Sequence, residues 1–549
     1  MQLTTALVVS GGGLQGAAII KSLRAIGGVR ILVADCHEEN VGRFEADGYF
    51  VAPLLSDAPA FTAFLHRVCR QEAVDHLFPI TDLELEIFSR EKQALELAGT
   101  QVWVCSPAVL EVARNKLGLA QWLQAKGLPT LATASTPDGV GHTGPLLGKP
   151  LAGYGSKGIV KVASLVDALA LPQAQREGLA WQEQWLSFDE YSIDLAIKGP
   201  GQLSPVYLRR RVRTSGGFAV LCQPSDDPRV CDIAQRTAQA LSEDGALGVL
   251  NLQILVAGEQ AVVSDFNARA GMSLPLTLAA GGNPVALLLG APCGEQSSGP
   301  AVRTVRVLSE RLLQRPSLAQ VQGVVFDLDD TLFDQKDWIH RKLRMLWQAE
   351  QHWLPSELDF LKATMAILEE GERAKLFDVY ARHQGLSDNQ RLTLIDVYRK
   401  ARPDTGRLYP DVAGALAQLR RRGLRLGLLT DNPAVSQRDK LRATPLEPAL
   451  DAVVLTGELG TPKPAAAAFA AVAHRLGLAA DQLVMVGDHI FRDSLGALDA
   501  GYAHAFHVQR AGAFFNFDIS LCQSLLPAGR LTVLTGLHEL NWYLDGAVR

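Results

Sequence analysis

Short apolar runs alternate with stretches of helical periodicity along the whole chain, in three successive regimes. Over residues 1–105 the runs Ala6–Val9, Val29–Ala34, His76–Pro79 and Gln101–Cys105 are separated by segments long enough for crossover helices, the pattern of parallel strands in an α/β layer. Over 106–318 the pattern shifts. A helical segment, Ala108 to Lys126, precedes a strand-like Leu146–Pro150. Alternating runs follow at Trp181–Trp185, Glu190–Asp194, Leu250–Val256 and Ala261–Phe266. Gly294–Pro300 reads as a loop or linker. Over 319–549 a buried run at Val324–Phe326 is followed by a helix-rich insert. A parallel α/β pattern then resumes at Leu424–Leu429, Ala452–Leu455, Leu483–Val486, Ala503–Val508 and Leu531–Leu534, and a last helix falls near Leu537–Leu544. The pattern predicts an α/β multidomain protein: an N-terminal α/β domain (1–105), a central domain (106–318), and a C-terminal α/β core (319–549) carrying a helical cap over 334–408.

Composition narrows the partners. A chain of 549 residues exceeds one hydrophobic core and predicts about three or four domains. With 48% apolar and 20% charged residues and a net charge of −5, it has the make-up of an ordinary soluble globular protein and no electrostatic reason to hold nucleic acid. No apolar run is long enough for a membrane span, and the opening MQLTTALVVSGGG reads as strand and turn, not as a signal peptide. Seven cysteines, at 36, 69, 105, 222, 231, 293 and 522, are scattered without a CxxC pair and read as reduced thiols of a cytoplasmic protein. Neither nucleic acid nor membrane is therefore expected as partner; the oligomeric state is open, a homodimer included.

The densest chemistry begins at Asp327. The apolar run Val324–Phe326 delivers Asp327 and Asp329, two residues apart, to the end of a predicted strand. One carboxylate can attack phosphorus while the other moves the leaving group's proton. Thr430 closes another apolar run and can hold a phosphoryl oxygen. Lys463, in Thr461-Pro462-Lys463-Pro464, can neutralise charge, and Gly487-Asp488-His489-Ile490-Phe491-Arg492-Asp493 supplies two more acids that could share Mg²⁺. D-x-D-x-T, then Thr, Lys-Pro and G-D-x-x-x-x-D resembles the haloacid dehalogenase superfamily over residues 321–549. The resemblance implies a Rossmann-like core with a helical cap and a Mg²⁺-dependent phosphatase. It makes Asp327 the nucleophile and Asp329 the acid/base. Thr430 and Lys463 become phosphoryl ligands, and Asp327, Asp329, Asp488 and Asp493 the metal site. His489 reads as a supporting residue.

The upstream chemistry is more dispersed. Gly11-Gly12-Gly13-Leu14-Gln15-Gly16 fits G-x-G-x-x-G with Asp35 ending the next strand, which allows a dinucleotide, a small-substrate site or simply a tight turn with close helix packing. Gln253 lies on one predicted strand and Asp265 and Asn267 on one face of the next, three oxygen ligands suited to Mg²⁺ on a nucleoside triphosphate. The stretches Asn115-Lys116-Leu117, Gly148-Lys149-Pro150, Gly155-Ser156-Lys157-Gly158, Gln182-Glu183 through Glu190, Leu208–Arg211, Asn251–Gln253 and Asp265-Phe266-Asn267-Ala268-Arg269 together resemble the ATP-grasp superfamily, nearest its carbamoyl-phosphate-synthetase-like ligases, over about residues 1–310. Asp265 stands where that family usually has Glu, and Ala268 where it has Pro. By that resemblance Lys116, Lys149 and the loop Gly155, Ser156, Lys157, Gly158 bind phosphates, and Glu183 and Glu190 surround the adenosine. Gln253, Asp265 and Asn267 hold Mg²⁺, while Arg209 and Arg269 face the acyl phosphate or the substrate carboxylate. The implied protein is bifunctional. An ADP-forming carboxylate–amine ligase using ATP is fused to a phosphatase acting on a phosphorylated metabolite of the same pathway. A phosphotransferase, or a nucleotide-sensing regulator of the phosphatase, is the alternative for the grasp module.

Overall fold

The computed structural model describes residues 4–151, 158–215, 218–307, 315–371, 375–510, 513–514 and 529–545. Contacts gather these into two compact units, Thr4–Leu312 and Leu313–Arg549.

The first unit opens with a five-stranded parallel sheet in the order Gly48–Val51, Val29–Asp35, Thr4–Val9, His76–Phe78, Gln101–Val102. Ala6, Leu7, Val8, Leu32 and Val33 are fully buried, as central strands covered on both faces require. The glycine motif has a packing explanation. A Cβ on Gly16 would overlap the backbone of Gly11, so the helix Leu14–Ile26 can press onto its turn only with glycine there. Asp35 closes the same turn, its Oδ2 accepting from the Gly12 N–H at 3.0 Å. Both observations favour the tight-turn reading of this motif.

The predicted single helix Ala108–Lys126 is two, Pro107–Arg114 and Lys116–Ala125. Asn115 breaks it: its backbone is extended (φ −101°, ψ 108°), and its Oδ1 accepts from the N–H groups of Leu117 and Gly118 as an N-cap. The break places Lys116 at the start of the second helix. Beyond it stand two sheets. A small antiparallel sheet runs Thr133–Ala134, Leu179–Glu183, Leu146–Pro150, Val160–Val162. A larger one runs Gln260–Asn267, Gly248–Ala257, Asp189–Gly199, Tyr207–Ser215, Phe218–Ser225, Thr304–Val305, with Gln202–Leu203 on the third strand.

The second unit is built on a six-stranded parallel sheet, Ala452–Leu455, Arg425–Thr430, Gly323–Phe326, Leu483–Gly487, His504–Val508, Leu531–Leu534. Of the five helices described between the strands Gly323–Phe326 and Arg425–Thr430, the first four, Gln335–Glu350, Glu357–Glu369, Leu376–Gln384 and Asp388–Lys400, make up the insert. They share their own core of Leu343, Leu346, Phe360, Tyr380 and Leu394. Each such side chain contributes about 1.5–3 kcal/mol when fully buried. The closing helix is a 3₁₀ turn, Leu537–Glu539, running into Leu540–Tyr543. Among the described residues no helix is long and apolar enough to cross a membrane. Six of the cysteines are free thiols, and Cys522 lies outside the described residues.

A buried ion pair locks the C-terminal core. Arg510 donates from Nη1 to both carboxylate oxygens of Asp411 at 2.9 and 2.8 Å, and from Nη2 to the Thr331 carbonyl at 2.8 Å. Burial alone would raise the Asp411 carboxyl; Arg510 and His538 outweigh it and hold the group well below the usual range. Arg510→Met strands that carboxylate and is expected to cost about 3–5 kcal/mol of unfolding free energy in denaturant titrations at pH 7. The folded carboxyl titrates below its unfolded value near 4. The pair therefore stabilises above that pH, and its contribution is lost on further acidification. The difference between wild type and variant should shrink in the same range.

Candidate active sites

Three neighbouring strands of the second unit end at one place. Asp327 follows Gly323–Phe326, Thr430 closes Arg425–Thr430, and Asp488 follows Leu483–Gly487. In an open parallel sheet this is where ligands bind. Lys463 reaches into the same point. Its Nζ donates to Asp327 Oδ1 at 2.5 Å, to Asp493 Oδ1 at 2.6 Å and to the Leu429 carbonyl at 3.1 Å. Burial opposes its charge, but Asp327, Asp493 and Asp431 outweigh burial and push the ammonium above its ordinary value. Glycine is required at 487 because a Cβ there would collide with the Asp493 carboxylate.

Asp327, Asp488 and Asp493 are buried and offer oxygens all within 4.8 Å of one another. Burial, and then the neighbouring acids Asp493 and Asp329, push the Asp327 carboxyl up to about 7 against the pull of Lys463. Burial and Asp327 raise Asp488 well above its ordinary value. One lysine does not balance these three acids, and a hard divalent cation such as Mg²⁺ fits their oxygen donors. Asp329, grouped with the metal ligands on sequence, does not join them through its carboxylate. That group accepts instead from Lys440 Nζ at 2.5 Å, Asn432 Nδ2 at 3.0 Å and Gln437 Nε2 at 2.9 Å. Gln437 also donates to Thr430 Oγ1 at 2.8 Å, so one amide ties Asp329 to Thr430. His489 supports the loop: its Nδ1 accepts from the Arg492 N–H at 3.3 Å, and its own N–H meets Asp493 Oδ2 at 3.0 Å.

In the first unit, the larger sheet sets Gln253 directly opposite Asp265, with Asn267 two residues on and opposite Asn251. The three oxygen donors expected to hold Mg²⁺ therefore share one face of a hairpin. Lys116 Nζ is ion-paired with Asp265 Oδ1. Lys149 comes from the smaller sheet, and burial lowers its ammonium pKa. Lys116, Lys149, Thr133, Gln182 and Ser264 line one narrow cleft of about 10 Å³. Glu190 pairs with Arg211, whereas Glu183 Oε1 accepts from the Ala132 N–H at 2.9 Å and so holds its own sheet. Arg209 needs correction. It is fully buried and paired with Asp194, whose carboxylate also accepts from Thr277 Oγ1 and Asn251 Nδ2 at 2.7 Å each. Sealed this way, its guanidinium cannot face an acyl phosphate. Arg269 is bidentate to Asp82 at 2.8 Å on both arms, tying the hairpin to the N-terminal sheet. Gly158 has a left-handed φ of 73°; Gly155, Ser156 and Lys157 lie outside the described residues.

Comparison with known proteins bears on both units. The family model described as haloacid dehalogenase-like hydrolase matches residues 321–501. A glyceraldehyde 3-phosphate phosphatase of Methanopyrus kandleri is 30% identical over 189 residues, covering 33% of this chain and 81% of that protein. The chain belongs to the haloacid dehalogenase-like hydrolases. An N-acylneuraminate-9-phosphatase of Rattus norvegicus is also similar to this hydrolase, at 29% identity over 245 residues, 42% of this chain and 96% of that one. Upstream of the hydrolase domain, the model for PylC-like N-terminal domains matches residues 7–103. An N5-carboxyaminoimidazole ribonucleotide synthetase from Thermus thermophilus is similar in structure (21% identity, TM-score 0.42, covering 54% of this chain and 80% of that one).

The hydrolase centre opens into a cavity of about 520 Å³, lined at one end by Asp327, Asp329, Thr430, Lys463 and Asp488 and elsewhere by cap residues such as Ile339, Phe377 and Tyr398. That is room for a phosphate ester of metabolite size. Sequence reasoning missed Gln437 and Lys440, which clamp Asp329, and Asp82 and Asp194, which hold the two arginines. The helix Ala434–Arg442 starts just past Thr430-Asp431-Asn432, and it buries Gln437 and Lys440 at i, i+3. Two polar residues at that spacing beside a motif threonine are the signal that was available.

Proposed function

We propose that the chain is a bifunctional enzyme, a Mg²⁺-dependent phosphatase joined to an ADP-forming carboxylate–amine ligase of the same pathway. The observation that carries the phosphatase is the meeting of Asp327, Thr430, Lys463 and Asp488 at adjacent strand ends, with Asp329 in the same cavity. Asp327 attacks phosphorus and the ester oxygen leaves with a proton from Asp329. Water then attacks the aspartyl phosphate, Asp329 takes its proton, and phosphate leaves. Lys463 and Thr430 hold the phosphoryl oxygens, and Lys440, Asn432 and Gln437 orient Asp329. Mg²⁺, held by Asp327, Asp488 and Asp493, would supply neutralisation of developing charge.

For the ligase, support comes from the cross-strand set Gln253, Asp265 and Asn267 beside Lys116 and Lys149. These residues suit ATP with its metal, whose terminal phosphoryl group passes to a substrate carboxylate. An amine then displaces phosphate to give the amide and ADP. The two units are joined by a short connection: the larger sheet ends at Val305 and the hydrolase sheet begins at Gly323. Such tethering raises the effective concentration of one site's product at the other. A panel of amino acids and small acids, scored for ADP release with mass detection of products, tests the ligase. ADP should form only with an acceptor present. AMP and pyrophosphate as products, or ATP binding without turnover across the panel, would remove the ligase in favour of a different transferase or a nucleotide sensor.

A further inference from the structure

The hydrolase cavity has a second pole, in the cap. Ile395, Tyr398 and Arg399 sit at i, i+3 and i+4 on the helix Asp388–Lys400, so they share one face, and all three line the cavity. The cap also lines the cavity with the apolar Ile339, Leu368, Leu376 and Phe377. The other charges that line the cavity away from the catalytic acids have partners. Asp378 is paired with Arg391 at 2.8 Å, and Arg492 lies 3.7 Å from Asp431. Arg399 has none: among the described residues no carboxylate lies within ion-pair distance of its guanidinium, and only its backbone carbonyl meets a neighbouring side chain, accepting from Arg402. The cavity lining thus combines the carboxylates at the strand ends with apolar cap residues and one unpaired guanidinium.

A guanidinium matches a carboxylate as a planar two-donor fork, and one cation balances one monoanion. A second phosphoryl group, carrying close to two charges, would call for more than one. We propose that Arg399 reads a carboxylate at the far end of the substrate, so that the hydrolase takes phosphomonoesters whose apolar body also bears a carboxylic acid. This rests on the phosphatase reading above. It also fits the neighbouring unit, whose proposed chemistry consumes a carboxylate: the two sites would then handle acids of one chemical class.

The test uses the full chain with Mg²⁺ and two esters of one shape, 4-carboxyphenyl phosphate and 4-carbamoylphenyl phosphate. The amide ester carries the better leaving group, so intrinsic reactivity works against the expected preference. We expect kcat/KM to favour the carboxylate ester at least about tenfold, mostly through KM. The ratio should fall close to one in Arg399→Met and lie between in Arg399→Lys. Arg399 is exposed, so both variants should melt with the wild type. Equal kcat/KM for the two esters in the wild type, or a preference that survives in Arg399→Met, would overturn the assignment. 4-Nitrophenyl phosphate separates the ways of failing. If it is hydrolysed while the paired esters are not distinguished, the phosphatase stands and the carboxylate site falls. If no ester is hydrolysed, the phosphatase reading fails and the carboxylate site with it.

Discussion

Asp327→Asn should reduce Mg²⁺-dependent hydrolysis of 4-nitrophenyl phosphate at least about a thousandfold, a loss of roughly 4 kcal/mol of transition-state stabilisation. The substitution keeps the shape of the side chain and removes the nucleophile, because an amide oxygen attacks phosphorus far more weakly than a carboxylate. Folding should survive. Lys463 keeps Asp493 as a partner at 2.6 Å, so no buried cation is stranded. Stability should report the change in a second way. Burial first, and then neighbouring acids, raise the Asp327 carboxyl to about 7, above its unfolded value near 4. Between those values the folded state keeps a proton that the unfolded chain has lost, so in EDTA the wild type should lose stability as pH rises from about 4 to 7. Asn removes Asp327's share of this slope and leaves the part due to buried Asp488, so the variant's dependence should be shallower and its Tm at pH 7 should match or exceed the wild type's. Mg²⁺ should raise the wild type's Tm by mass action and the variant's by less. Undiminished turnover in Asp327→Asn would remove the aspartyl-phosphate mechanism.

The parts of the architecture that were legible were those that local sequence can carry. A parallel strand buried on both faces must be a continuous apolar run, and a polar group placed at its end must follow at once. Val324–Phe326 with Asp327, Leu426–Leu429 with Thr430, and Leu483–Val486 with Asp488 could all be read for that reason. What failed to read depends on the third dimension. The helix over 108–126 had the right periodicity, but Asn115 caps a new helix in its middle, and capping competes with propensity residue by residue. Arg209 and Arg211 share a strand face and are equivalent in sequence. The structure separates them by depth: Thr277, on the helix Leu274–Ala279, bonds to Asp194 beneath, and Arg209 is sealed with it while Arg211 pairs with Glu190. Asp82 and Arg269 are 187 positions apart, and nothing local to either announces the other.

The other large effect is expected at Asp265. It stands opposite Gln253 and is ion-paired with Lys116, so it links the proposed metal ligands to a proposed phosphate-binding lysine. Asp265→Ala removes an ionised oxygen donor and frees the Lys116 ammonium. Acceptor-dependent ADP formation should fall at least about a hundredfold, or roughly 2.7 kcal/mol. The phosphatase provides the control within the same molecule. Asp265 and Asp327 belong to separate compact units with separate cores, so their effects should be independent. Hydrolysis of 4-nitrophenyl phosphate by Asp265→Ala should stay within about twofold of the wild type. Asp265→Glu restores the charge one methylene further from the backbone. The side chain is only partly buried, with 25% of its surface exposed, so the longer acid has room to reach the same partners. Asp265→Glu should therefore recover most of the lost activity, which a lesion that merely unfolded the hairpin would not allow. Full ADP formation in Asp265→Ala, or a loss that Asp265→Glu does not repair, would take this carboxylate out of the ATP site.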